Sequence, residues 1–102
     1  MTVDREQTPD GVGPGWVLDY VIRVVARVLE VSTEDVESVE WFAELGLTSL
    51  QNLSIVSAIS HDLGDIPPTL LFDHASPAQV AAYLSTQHPQ ALEALFKRLR
   101  SG

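Results

Sequence analysis

Apolar and polar positions divide the chain into helical stretches joined by two longer connections. From Trp16 to Glu30, Val17, Val21, Val24 and Val28 fall on one stripe, and Leu18, Ile22, Val25 and Leu29 on the next. Asp19, Arg23, Arg27 and Glu30 recur on the opposite side, every three or four positions rather than every two, so the spacing predicts a helix although the valines alone would favour a strand. Asp19 and Arg23 stand at the favourable i, i+4 spacing. A second helix is predicted from Ser49 to about Leu63, closed by Gly64. Leu53, Val56, Ile59 and Leu63 mark its inward side. Its outward side, with Leu50, Gln51, Ser54, Ser57, Ala58 and His61, has no formal charge.

Val31 to Leu47 is a long connection, and in a small domain such a loop is functional or carries short structure of its own. Ser32 or Thr33 followed by Glu34, Asp35 and Val36 suggests one helical turn. Val36, Val39, Phe42 and Leu45 are spaced as anchors onto a core, and Trp41 reads as packing. After the break at Asp65-Ile66-Pro67-Pro68, Thr69 to Asp73 forms a short helical turn that presents Leu70, Leu71 and Phe72. Ser76 as N-cap, Pro77 at the first position and Gln79 two residues on open a further helix, with Val80, Ala81, Tyr83 and Leu84 on its buried face and His88-Pro89 at its end. Gln90 to Arg100 places Leu92, Leu95, Phe96 and Leu99 on one face, and Lys97, Arg98 and Arg100 suit a helix C-terminus. This spacing fits a fifth packed helix and an amphipathic docking element equally.

The junction at Thr48-Ser49-Leu50 is where chemistry is expected. Thr48 is a good N-cap, and Gln51 completes a capping box, which fixes the helix start and holds Ser49 in its first turn. Unpaired N–H groups and the positive end of the helix dipole favour a negative group there, and a serine can carry a phosphate ester. Gly46 leaves the approach open. A serine nucleophile elbow is excluded, because position 51 is glutamine rather than glycine and the chain is too short for the sheet such an elbow needs. His61 and Asp62 point about 100° apart on a helix and make no dyad. His61, His74 and His88 lie on separate segments without metal-ligand spacing.

With 102 residues the chain is one small domain, and the absence of cysteine removes disulfides and thiolate metal sites and fits a reducing cytosol. No apolar run is long enough to span a bilayer, and the N-terminus lacks the apolar core of a signal peptide. The net charge of −8 argues against nucleic-acid binding. Between Arg27 and Lys97 lie ten acids and no lysine or arginine, a field suited either to basic partner surfaces or simply to solubility.

Two signatures in fixed order, FAELGLTSL at residues 42–50 and IPPTLLFDHASPAQVAAYL at 66–84, resemble an acyl carrier protein of polyketide synthase type. The resemblance implies an all-α fold: a small four-helix bundle of three main helices and one short one, with a long first loop and a possible extra C-terminal helix. Residues 1–15 are then a flexible leader or linker, 16–88 the carrier domain and 89–102 a C-terminal amphipathic extension. It implies a non-catalytic, monomeric carrier in the cytoplasm. A phosphopantetheinyl transferase would attach 4'-phosphopantetheine from coenzyme A to Ser49, and the arm would hold acyl or polyketide intermediates as thioesters. Ketosynthase, acyltransferase or other synthase domains are the implied partners, met through Glu44, Leu47, Thr48, Leu50, Leu71 and Phe72.

Two departures stand out. The family most often has Asp before the serine, where Thr48 keeps the cap but lacks the charge that helps the transferase and its magnesium. The family's second helix also tends to be acidic, whereas here recognition is expected to rely on Leu50 and shape, with acidic help from the first loop. A peptidyl carrier of a nonribosomal synthetase is the alternative within the carriers, although those commonly read Gly-Gly-His-Ser-Leu where this chain has Gly46-Leu47-Thr48-Ser49-Leu50. Outside them, the alternative is a carrier-like interaction module that is never modified.

Overall fold

A computed structural model describes residues 14–101, and all regular elements among them are helical. In order they are α1 (Pro14–Leu29), α2 (Thr33–Glu37), a 3-10 turn (Phe42–Leu45), α3 (Ser49–Leu63), α4 (Leu70–Asp73), α5 (Pro77–Gln87) and α6 (Pro89–Ser101). The expected leader, residues 1–15, falls outside the described residues except at its end, where α1 already starts at Pro14, a residue tolerated in a helix's first turn. The expected first helix extends through Glu30, but the observed one stops at Leu29. Glu30 turns left-handed (φ 60°) and Val31 N–H donates back to Ala26 C=O at 3.0 Å, a C-terminal closure that glycine more often provides.

The wide apolar face of α1 is buried on several sides, because α1 packs against α5, α2 and α3. Val17, Val21, Val24 and Val25 of α1 meet Ile55 and Ile59 of α3, Leu70 of α4, Val80 and Leu84 of α5 and Leu92 of α6 in one core. Burial of each such side chain stabilises by about 1.5–3 kcal/mol. Val36 and Phe42 from the first connection join the core, with Leu45 packed against it. Tyr20 and Ala26 are buried as well, beyond the two predicted stripes.

α6 is a packed helix, not a detached docking element. It lies on α3 and α5, buries Leu92 and Leu95, and sets Phe96 edge-on against Trp16 at 5.1 Å between centroids. Leu99, one turn beyond Leu95, stays mostly exposed, so the α6 stripe is shorter than its apolar spacing suggests. On α3, Val56, Ile59 and Leu63 are buried as expected, but Leu53 is not. Ile55 is fully buried while Leu53, roughly 160° around the helix from it, is 55% exposed. Ile55, Ile59 and Leu63, together with Val56, give a continuous buried edge that Leu53 cannot share.

α1 and α3 are also tied by polar atoms. Tyr20 Oη donates to Asp62 Oδ2 at 2.7 Å in a half-buried setting. Burial first, then the hydrogen bond to Asp62 and its charge, push the phenol well above the ordinary tyrosine range, with Arg27 and Arg98 pulling slightly the other way. On the surface, Asp19 and Arg23 close the expected pair at 2.7 Å. That pair is exposed and contributes only about 0.2–0.5 kcal/mol.

Two outcomes follow. Removing α6 uncovers the apolar surfaces of α3 and α5 and lowers the melting temperature, and Leu92→Ala alone costs about 2–5 kcal/mol in chemical denaturation. Because Tyr20 stays neutral in the fold, its contribution is complete below the unfolded phenol value of about 10 and is lost as pH rises beyond it. Urea unfolding therefore finds Tyr20→Phe less stable than the parent by about 1 kcal/mol at neutral pH, with the gap closing in alkali.

Candidate functional site

The start of α3 is built by reciprocal side-chain bonds. Thr48 is extended (φ −77°, ψ 165°), its Oγ1 accepts from Gln51 N–H at 3.1 Å, and Gln51 Oε1 accepts from Thr48 N–H at 2.9 Å. Both halves of the predicted capping box are present. They leave the first two amides of the helix, those of Ser49 and Leu50, without an acceptor within α3, since a helix supplies none to its first turn. Ser49 is exposed, directly beside these donors and the positive helix end. A serine-linked phosphate fits this place: the hydroxyl is open to solvent, and the charge it would carry faces two amides and a favourable dipole.

The chain reaches Ser49 through the 3-10 turn. Glu44 Oε2 accepts from the N–H groups of Glu40 (3.1 Å) and Trp41 (3.0 Å), so this carboxylate caps the turn. Phe42 N–H donates to Ala75 C=O at 2.9 Å, fastening the turn to the α4–α5 junction. There Gln79 Oε1 holds Ala75 N–H at 2.9 Å, and Ser76 Oγ caps α5 by accepting from Gln79 N–H at 3.1 Å. Gly46 ends the turn in the left-handed region (φ 64°, ψ 44°). A Cβ there would meet nothing within 4 Å, so the glycine is required by its backbone angle and not by crowding.

A cleft of about 350 Å³ opens beside this junction, between the 3-10 turn and α4, with Phe42, Leu47, Asn52, Leu71 and Phe72 among its walls. The residues expected to meet partners therefore divide. Thr48 and Leu50 are exposed at the helix start, and Phe72 is 76% exposed on α4. Leu71 is not offered to a partner: it is 5% exposed, because α4 turns both Leu70 and Leu71 into the core. Leu47 is half-buried against that core. Glu44 is exposed, but its carboxylate is committed to the turn.

Other residues are placed differently from their sequence reading. Trp41 is 43% exposed rather than packed, and Leu53 joins Leu50 on the outer stripe of α3. Both misassignments arise where apolar residues outnumber the buried positions. His61 is exposed, as read. His74 and His88 both contact the Tyr83 ring, at 4.6 and 5.9 Å between centroids. Among the described residues no group of three or more His, Cys, Asp or Glu side chains could hold a metal, and no helix is long and apolar enough to cross a membrane.

The model of the phosphopantetheine attachment site family matches residues 19–84, and the chain belongs to that family. It is a carrier domain of the polyketide or nonribosomal synthase type, in a family that is generally non-catalytic and carries covalent 4'-phosphopantetheine. It is 30% identical to polyketide synthase PksL of Bacillus subtilis over 76 residues, 74% of this chain and 2% of that protein. It is 34% identical to the phenolphthiocerol synthesis polyketide synthase type I Pks15/1 of Mycobacterium marinum over 61 residues, 59% of this chain and 3% of that protein. The chain thus spans a small fraction of these relatives. The crystal structure of a free-standing peptidyl carrier protein from an uncharacterized secondary metabolic pathway of Acinetobacter baumannii superposes with a TM-score of 0.64 at 25% identity, covering 72% of this chain and 94% of that one.

Thr48→Ala removes the acceptor for Gln51 N–H and costs about 1 kcal/mol of stability. Hydrogen exchange should locate the loss at the Gln51 amide and the first turn of α3, with the Ile55 and Ile59 amides little changed.

Proposed function

We propose that this domain is an acyl carrier of a polyketide synthase and that Ser49 is its attachment residue. The observation that carries this reading is the exposed Ser49 hydroxyl in the capped first turn of α3, where a phosphodiester is favoured by the helix end. In the modification, Ser49 Oγ gives up its proton and bonds to the phosphorus next to the pantetheine arm of coenzyme A, and the adenosine 3',5'-bisphosphate half leaves. The amides of Ser49 and Leu50, left without an acceptor within α3, would be the donors available to the resulting charge. Once attached, the arm supplies the thiol that this cysteine-free chain lacks and holds acyl groups as thioesters.

The chain's own part is then to hold and present. Thr48, Gln51, Glu44 and Gly46 fix the direction in which Ser49 leaves the surface, and tethering raises the effective concentration of the carried group at partner sites. Leu50, Leu53 and Phe72 form the apolar surface that ketosynthase, acyltransferase or other synthase domains meet. The transferase approaches the same corner, with Thr48 in place of the family's usual aspartate. The domain acts as a monomer in the cytoplasm, with residues 89–102 as part of the folded carrier rather than a separate arm. The polyketide synthase relatives support an acyl cargo, whereas the peptidyl carrier likeness favours a peptidyl one as the second reading.

Intact mass after incubation with coenzyme A, magnesium and a broad-specificity phosphopantetheinyl transferase tests the attachment. The parent gains one phosphopantetheine, Ser49→Ala gains none, and Thr48→Asp is modified several-fold faster than the parent. No gain with several transferases would leave an unmodified interaction module. Charging of the loaded protein by an acyltransferase domain, against charging by an adenylation domain, separates acyl from peptidyl service.

A further inference from the structure

The outer stripe of α3 has no carboxylate between Ser49 and His61; its exposed residues are Leu50, Leu53, Ser57 and His61. Beside it runs an open trough of about 570 Å³, floored by Leu53, Ser54 and Ser57, with His61 towards one end and Arg27 of α1 on its wall. Leu53 stands one turn beyond Ser49, so the trough starts close to the attachment corner.

The charges around this trough are not those expected from the whole chain. Arg23 is taken up by Asp19, whereas Arg27 is exposed and its guanidinium has no hydrogen-bond or ion-pair partner among the described residues. Asp62, the one acid lining the trough, is engaged as the acceptor of Tyr20 Oη. The Asp62 carboxylate is half-buried against Tyr20 and forms no ion pair with Arg27, so the exposed formal charge that this protein of net charge −8 sets along the trough is a cation. An arginine in the last turn of α1 also suits the helix dipole, a purely structural role that would affect stability alone.

A partner seated on this face would cover Arg27. A guanidinium covered without an ion-pair partner is unfavourable, and a basic partner would meet it as a like charge. We propose that Arg27 is a specificity determinant of docking: the α3 face takes synthase-domain surfaces that are apolar opposite Leu50 and Leu53 and present a carboxylate at the edge facing Arg27. This rests on the carrier reading above and adds to it the sign of the partner's charge.

The test loads Ser49 with a coenzyme A analogue whose arm ends in a thiol-reactive electrophile, and offers the loaded protein to ketosynthase domains excised from polyketide synthases. Alkylation of the active-site cysteine reports docking. Absence of a mass gain at Ser49 would refute the carrier reading before any domain is added. At low salt Arg27→Glu lowers the trapping rate about tenfold, Arg27→Gln less, and Arg27→Lys stays near the parent. Arg23→Glu, on the paired arginine, has little effect, and the loss in Arg27→Glu shrinks at high salt. Melting temperatures taken on the same samples separate docking from the dipole role. The proposal is overturned if Arg27→Glu is trapped as fast as the parent or faster by every domain, or if no domain traps the parent.

Discussion

The first connection, from Glu30 to Thr48, must be held still without a long helix of its own, and the position of Ser49 depends on how that is done. Two side chains, Val36 and Phe42, anchor it in the core. Glu44 closes the 3-10 turn on itself, and Phe42 N–H crosses to Ala75 C=O. That bond joins the approach to α3 with the junction of α4 and α5, so the corner containing Ser49 is assembled from distant parts of the chain. Gln79 and Ser76 then immobilise the accepting side. Each clamp is modest, about 0.5–1.5 kcal/mol net, yet together they remove freedom from a stretch that propensity alone would leave loose.

Features set by neighbours in sequence were legible before the structure. Thr48 and Gln51, Ser76 and Pro77, and Gly64 each mark a helix end through bonds or backbone angles that span a few residues, so residue type is enough. The exposure of Leu53, Leu99 and Trp41 and the burial of Leu71 were not legible in the same way. Leu53 and Leu99 belong to stripes wider than the bundle can cover, and which member turns inward is set by the helix opposite. Ile55 displaced Leu53 for this reason. Glu44 is a different case: its three-residue spacing from Trp41 could have signalled a cap, but Trp41 is not a capping residue type, and the acid read more naturally as surface charge.

Charge on this molecule is divided between two tasks. The acids of the first connection and the surface set the long-range field, which acts on any partner from a distance and weakens beyond about 10 Å in ordinary salt. Along α3 the outer stripe from Leu50 to His61 carries no lysine, arginine or carboxylate, with Arg27, His61 and Asp62 at the trough. Long-range attraction and short-range fit can therefore favour different surfaces, and a carrier that must leave each partner quickly gains from not being held by both.

The place of α6 has a practical consequence for recombination between synthases. The family match ends at residue 84, whereas the core continues to Leu92 and Leu95, and Trp16 near the start of α1 rests against Phe96. A graft cut at the family boundary would carry Ser49 and all of its clamps into a new host, but would arrive with an unroofed bundle. The portable unit of this carrier is α1 through α6, with its two ends fastened together by an aromatic pair.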